Sequence, residues 1–278
     1  MRIDAHQHFW KLERGDYGWL TSDLAPIYRD FLPGDLAPTL EKHGIEGTIL
    51  VQAAPTVAES EFMLSLANET PFVKGVVGWI DFESPSAVND LDSLAANSAL
   101  VGLRPMIQDI DNPNWMLCED LAPAFDAMIA ADLTFDALTL PIHLDNLKTL
   151  LARYPGMRTV IDHGSKPEIR NREFKIWAGG MAALAKESTA YCKLSGLVTE
   201  AQADWSTEDL KPYVDHLLAT FGPSRLIWGS DWPVCALASS YDRWVETTET
   251  LLADLNEVER NAILGGTAAR AYKLENAQ

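Results

Sequence analysis

The residues of this chain best suited to do chemistry begin with His6 and His8, one residue apart in His6-Gln7-His8. Side chains at i and i+2 of an extended strand project to the same side, so the two imidazoles can meet one ion or one substrate atom. A third imidazole, His163, stands in Asp162-His163-Gly164, and a carboxylate, Asp231, follows an apolar run in Leu226-Ile227-Trp228-Gly229-Ser230-Asp231-Trp232-Pro233. Each signal is weak alone: H-x-H recurs by chance, a lone histidine is more often structural, and an aspartate here can cap a turn. Together, three imidazoles and one carboxylate suit a single first-row divalent ion, zinc foremost, with a coordination position left for water. Bound zinc brings the pKa of its water to about 7 and polarises a carbonyl. The same groups also work without a metal, Asp231 as general base and the imidazoles as donors to a developing oxyanion. His6, His8, His163 and Asp231 are thus candidate metal ligands, and His163 and Asp231 candidate catalytic groups. The two versions stay open.

Residues so far apart in sequence converge only if the elements between them bring them to one place. Strand candidates run over Arg2–Gln7, Gly47–Gln52, Val73–Ile80, Leu100–Met106, Thr134–Leu138, Arg158–Asp162, Ala190–Leu194 and Arg225–Gly229. Between them lie amphipathic stretches, Pro33–His43, Ala58–Glu69, Ser86–Asn97, Leu121–Ala131, Leu144–Tyr154, Phe174–Ser188 and Thr207–Phe221. In the second of these, Phe62, Leu64 and Leu66 oppose Glu59, Glu61 and Asn68, which assigns the acidic residues to the solvent face. Ser206-Thr207-Glu208-Asp209 and Ser239-Ser240 supply capping oxygens. Eight strands alternating with helices predict a parallel (β/α)8 TIM barrel over residues 1–278 as a single domain, with a helical C-terminal extension. An open doubly wound sheet is the alternative. In the barrel the last strand neighbours the first, so Asp231 meets His6 and His8 at the C-terminal mouth.

Composition narrows the function classes. The chain has 278 residues, 47% hydrophobic and 22% charged, which excludes a disordered or fibrous protein. Its 22 Lys+Arg against 40 Asp+Glu give a net charge of -18, and no basic block offsets a field that repels nucleic acid and anionic lipid. Cys118, Cys192 and Cys235 are odd in number and widely spaced, which encodes neither a disulfide framework nor a zinc ribbon. The start Met1-Arg2-Ile3-Asp4 lacks a signal-peptide pattern, and a cytoplasmic location is expected.

The motifs resemble the amidohydrolase superfamily of the amidohydrolase 2 type, in its sugar-lactone hydrolase branch of the L-fuconolactonase and L-rhamnonolactonase type. Arg2-Ile3-Asp4-Ala5-His6-Gln7-His8-Phe9-Trp10 carries the resemblance, with Val51-Gln52-Ala53, Gly102-Leu103-Arg104-Pro105, Val160-Ile161-Asp162-His163, Gly229 to Pro233 and Gly265 to Tyr272, in order along nearly the whole chain. It implies a hydrolase that opens a lactone by attack of an activated water. Binuclear members carry a carboxylated lysine on the fourth strand; neither Leu100–Met106 nor Thr134–Leu138 has a lysine, so at most one metal is expected. With one arginine in the fourth strand and so negative a field, a neutral polyhydroxylated lactone fits better than a dicarboxylate. A lactone isomerase or metal-dependent decarboxylase on the same barrel is the rival activity, and a non-catalytic sugar-acid binder the rival class. Product analysis separates the first two, and turnover the third. A small-molecule lactone is the expected partner, without nucleic acid or membrane, and a homo-oligomer is left open.

Further residues then acquire roles toward a sugar. Arg104 can donate to the lactone carbonyl or a ring hydroxyl, against an ion pair with Asp109. Gln52 suits hydroxyls or fastens a loop. Trp10, Trp115, Trp177 and Trp232 fall near strand ends or in loops, where an indole face stacks on a sugar; Trp10, Trp115 and Trp232 are carried as substrate contacts and Trp228 as core. His143, after Leu140-Pro141-Ile142, is a candidate ligand contact against a structural helix-start role. His43 and His216 read as structural helix residues, Ser195 as a polar contact, and Lys193 as a solvated strand-edge residue.

Overall fold

The computed structural model describes residues 1–274, so the last four positions of the expected 1–278 unit lie outside the described residues. Eight short strands form the centre: β1 (Ile3–Gln7), β2 (Gly47–Val51), β3 (Val73–Gly78), β4 (Leu100–Leu103), β5 (Thr134–Ala137), β6 (Thr159–Ile161), β7 (Tyr191–Leu194) and β8 (Leu226–Trp228). Each pairs in parallel with the next, in the order β1 to β8. Just beyond β8 the chain meets β1 again: the Asp231 amide donates to the His6 carbonyl at 2.7 Å and the His8 amide to the Trp232 carbonyl at 2.7 Å. That seam makes the sheet a barrel and excludes the open doubly wound alternative. The strand over Leu100–Met106 ends early, at Leu103, because Pro105 has no amide to extend the ladder.

Helices surround the strands: α1 (Pro33–Lys42), α2 (Val57–Glu69), α3 (Ala87–Ala95), α4 (Ala122–Ala130), α5 (Leu144–Arg153), α6 (Lys175–Glu187), α7 (Leu197–Glu200), α8 (Thr207–Phe221), α9 (Tyr241–Leu251), α10 (Glu257–Asn261) and α11 (Thr267–Ala271). Their starts follow local chemistry. The Thr56 hydroxyl accepts the Glu59 amide at α2, Asp209 accepts the Ser206 amide at 2.9 Å at α8, and Ser240 accepts the Arg243 amide at α9. The inward face of α5 is Leu144, Leu147, Leu150 and Leu151, the spacing of one helical stripe. One expectation fails at α2: Glu59 is fully buried, whereas Phe62 and Leu66 are only partly so. The carboxylate is drawn inward by the amides of Ala53 and Ala54, which donate to it at 3.0 and 2.8 Å.

Two apolar layers result. The larger fills the space between strands and helices. The smaller lies inside the barrel, where Ile3, Ile49, Val77, Val160 and Ile227 meet Ala268, Ala271 and Tyr272 of the C-terminal segment. That segment closes the barrel floor. At Gly265 a Cβ would come 2.2 Å from the Met1 carbonyl oxygen, so only glycine allows the two termini to approach this closely. Among the described residues no helix is long and apolar enough to cross a membrane.

Candidate active site

With its floor sealed, the barrel is open to chemistry at the C-terminal mouth. There β1 delivers His6 and His8, β4 Arg104, β6 Asp162 and His163, and the chain after β8 Asp231. The mouth holds a cavity of about 310 Å³ whose lining includes His8, Arg104, His163, Lys166 and Asp231 on one side and Trp19, Leu24, Met106, Leu138 and Val234 on the other. Asp4 braces the seam beneath it: its Oδ1 accepts the Ser230 amide at 2.8 Å and the His6 amide at 3.2 Å, and its Oδ2 accepts the Tyr241 hydroxyl at 3.0 Å.

The four residues central to the sequence reading meet. Nε2 of His8, His6 and His163 lies 3.3, 3.7 and 4.0 Å from Asp231 Oδ1. The far nitrogens of two rings are engaged, His8 Nδ1 with the Val51 carbonyl at 2.7 Å and His163 Nδ1 with the Ser195 hydroxyl at 2.9 Å. These contacts fix ring orientation and turn Nε2 toward the carboxylate. Backbone conformation contributes as well: Asp231 has φ +58°, a left-handed conformation that costs a non-glycine residue energy and so marks a position held by its surroundings. Burial pushes His163 down to about 4, and burial followed by the Lys193 ammonium pushes His6 well below its usual value. Burial would raise Asp231, but the His163 and His8 rings more than offset it and hold the acid below the usual carboxylate range. At neutral pH the site therefore presents neutral imidazoles and an ionised carboxylate.

That donor set fits a divalent cation. Ligand atoms of His6, His163 and Asp231 lie within 4.8 Å of one another, the spread expected of groups that can close around one ion at about 2.0–2.2 Å. His8 shares the carboxylate oxygen but stands outside that trio.

Below the imidazoles runs a charged network that the sequence did not reveal. Lys193, expected at a solvated strand edge, is fully buried, with Nζ 2.6 Å from Asp136, 2.9 Å from Asp162 and 3.1 Å from His6 Nδ1. Parallel barrel strands bury both faces, so an edge position does not exist here. Arg104 pairs with Asp162 at 3.3 Å rather than with Asp109, donates through Nη2 to the Gln52 carbonyl and stands 3.3 Å from His6 Nε2. Gln52 donates to the Arg104 carbonyl at 2.8 Å, so it fastens β2 to the chain after β4 and does not line the cavity.

Other candidates lie elsewhere. His143 is buried and accepts the Leu140 amide at 3.0 Å, a helix-start role outside the cavity. Trp115 packs against Phe82 in the outer core, Trp177 is likewise core, and Trp232 sits edge-on to Phe31 and Phe9. Trp10 is fully buried, its indole nitrogen donating to the Arg29 carbonyl, and it backs Trp19 at 5.6 Å between ring centres. Trp19 is the indole that lines the cavity, pinned by a 2.7 Å bond to the Ala53 carbonyl. It lies in the segment between β1 and α1, which has no period to read. His43 and His216 make helix-surface contacts, as expected.

Comparison with known proteins agrees with this geometry. The family model described as Amidohydrolase matches residues 3–274. An L-fucono-1,5-lactonase of Burkholderia ambifaria is 43% identical over 278 residues, covering 99% of this chain and 96% of that enzyme. One from Burkholderia multivorans is 34% identical over 294 residues, again covering 99% and 96%. A crystal structure of a Burkholderia multivorans amidohydrolase with bound zinc superposes with a TM-score of 0.91 at 35% identity, covering 99% of each chain. A barrel with this seam, this histidine and aspartate constellation and this full-length likeness belongs to the amidohydrolase family.

Proposed function

We infer that this enzyme hydrolyses a neutral sugar-derived lactone, of the L-fucono-1,5-lactone kind, to the open-chain aldonate. The observation that carries the reading is the ionised Asp231 ringed by neutral imidazoles in a cavity the size of one sugar ring. The two full-length relatives named for L-fucono-1,5-lactone supply the substrate class.

Asp231 accepts the proton of a water beside it as the water oxygen adds to the lactone carbonyl carbon. The carbonyl oxygen, now anionic, receives donors from Arg104, whose guanidinium is pre-aimed by Asp162 and the Gln52 carbonyl. Collapse of the tetrahedral adduct breaks the ring C–O bond, and the proton held by Asp231 passes to the leaving ring oxygen. The sum is lactone plus water giving a hydroxy acid, which ionises to the aldonate. His6, His163 and Asp231 are the groups that would hold one divalent ion, which we assign as zinc. When bound, it supplies Lewis acidity toward a carbonyl and a lowered pKa for water.

The test is a panel of L- and D-aldonolactones assayed before and after chelation, with metal analysis of the same sample and products followed by NMR. Replacement of Asp231 by Asn should lower kcat by about 10²- to 10⁴-fold with an unchanged fold. Full activity in that variant would remove Asp231 from the mechanism. An isomerised lactone or release of CO₂ as product would replace hydrolysis by another activity of the barrel.

A further inference from the structure

After β6, four successive residues, His163, Gly164, Ser165 and Lys166, have φ of +52°, +56°, +59° and +47°. Three of them are not glycine, and a side chain in the left-handed region costs about 1–3 kcal/mol, so such a run persists only where the surroundings impose it. The Lys166 amide closes the turn on the His163 carbonyl at 2.9 Å, an i to i+3 bond. In a turn of about three residues, positions i and i+3 eclipse. His163 and Lys166 therefore share a face, and both line the cavity. The turn aims an ammonium group at the place where His163 and Asp231 meet.

Arg104 and Lys166 are the two cations lining the cavity among the described residues. Arg104 is committed to Asp162 and the Gln52 carbonyl. Lys166 is not: its nearest acid is Glu200, on α7, at 3.8 Å, too long for a hydrogen bond. Lactone hydrolysis turns a neutral ester into a carboxylate formed beside the ionised Asp231. Two like charges at such a separation repel unless a cation stands between or beside them.

We propose that Lys166 is the residue that receives the carboxylate generated by ring opening, leaving its loose pairing with Glu200 to do so. This rests on the lactonase reading, and assigns the site an affinity for aldonates that is distinct from its affinity for the lactone. The bonds made and broken are those of the hydrolysis already written; Lys166 keeps its proton throughout and contributes charge and hydrogen bonds only.

The experiment titrates sodium L-fuconate into the intact wild-type, Lys166→Met, Lys166→Arg and Glu200→Gln proteins by calorimetry, with KM for the lactone measured on the same preparations. Lys166→Met should weaken aldonate binding by about tenfold or more while KM for the neutral lactone moves less than about threefold, since the lost interaction is with charge. Lys166→Arg should keep most of the aldonate affinity, and Glu200→Gln should tighten it by freeing the ammonium. Aldonate affinity unchanged in Lys166→Met, equal losses for aldonate and lactone, or no measurable aldonate binding by the wild type would each overturn the proposal. A wild type that hydrolyses lactones while Lys166→Met binds aldonate normally removes only the Lys166 assignment. A wild type inert toward every lactone removes the functional reading itself.

Discussion

Lys193 shows how much of the site depends on one side chain that never reaches the cavity. Its ammonium is the direct neighbour of Asp136, Asp162 and His6, and all four groups are fully buried. Tyr272 closes the far end, donating to Asp136 at 2.7 Å. Desolvation makes each charge expensive, so the network holds only while its members are paired. Burial pushes up the Asp136 carboxyl to about 6 despite its bond to Lys193, whereas Asp162 is held down against burial by Lys193 and then by His6. Replacing Lys193 by Met should destabilise the protein by about 3–5 kcal/mol, because two buried carboxyls lose their shared cation. Urea denaturation measures it, and adding Asp136→Asn should return part of the loss. A Lys193→Met protein as stable as wild type would show that the carboxyls take up protons at no net cost.

Glu59 sets a pH dependence at the junction of β2 and α2. Burial pushes its carboxyl up to about 7 from an ordinary 4.5, against the opposing pull of the Ala54 and Ala53 amides. The folded state thus holds this proton more tightly than the unfolded one. Its contribution to stability is complete below about pH 4.5 and is lost as pH rises through about 7. At 1.36 kcal/mol per unit the loss is roughly 3 kcal/mol. Glu59→Gln lacks this titration, so its stability relative to wild type should rise by about that amount between pH 4.5 and 8, read as a Tm difference at each pH. A difference that stays flat with pH would place the Glu59 pKa near its ordinary value. The same residue marks the boundary of what could be read from sequence. Strands and helices were legible because β-branched runs and three-and-four spacing survive in single elements, and His6, His8, His163 and Asp231 were legible because they sit where strands end. Glu59 was assigned to solvent because helical spacing does not show that the preceding loop turns two amides toward it. Lys193 and Asp136 were hidden by the same cause in reverse, since a charge inside a barrel looks in sequence like a charge outside it. Trp19 and Lys166 lie in irregular segments, where direction is set by turns and not by period.

At the scale of the whole molecule, the net charge of -18 acts on substrate and product differently. A neutral lactone feels little of this field, but an aldonate works against it on entry and is helped by it on leaving. Excess charges some 20 Å from the mouth, each weak in water, sum to about 1 kcal/mol of repulsion at a Debye length near 20 Å and to almost nothing once it falls to about 6 Å. Attraction to Lys166 acts at contact, well inside either Debye length, and changes far less with salt. The two effects of salt oppose each other, and the long-range one is larger. Raising NaCl from about 20 to about 300 mM should therefore lower the aldonate inhibition constant several-fold while KM for the lactone stays level. Steady-state inhibition across that series decides it. An inhibition constant that rises with salt would mean that contact with a cation, and not the field of the whole chain, governs how the product leaves.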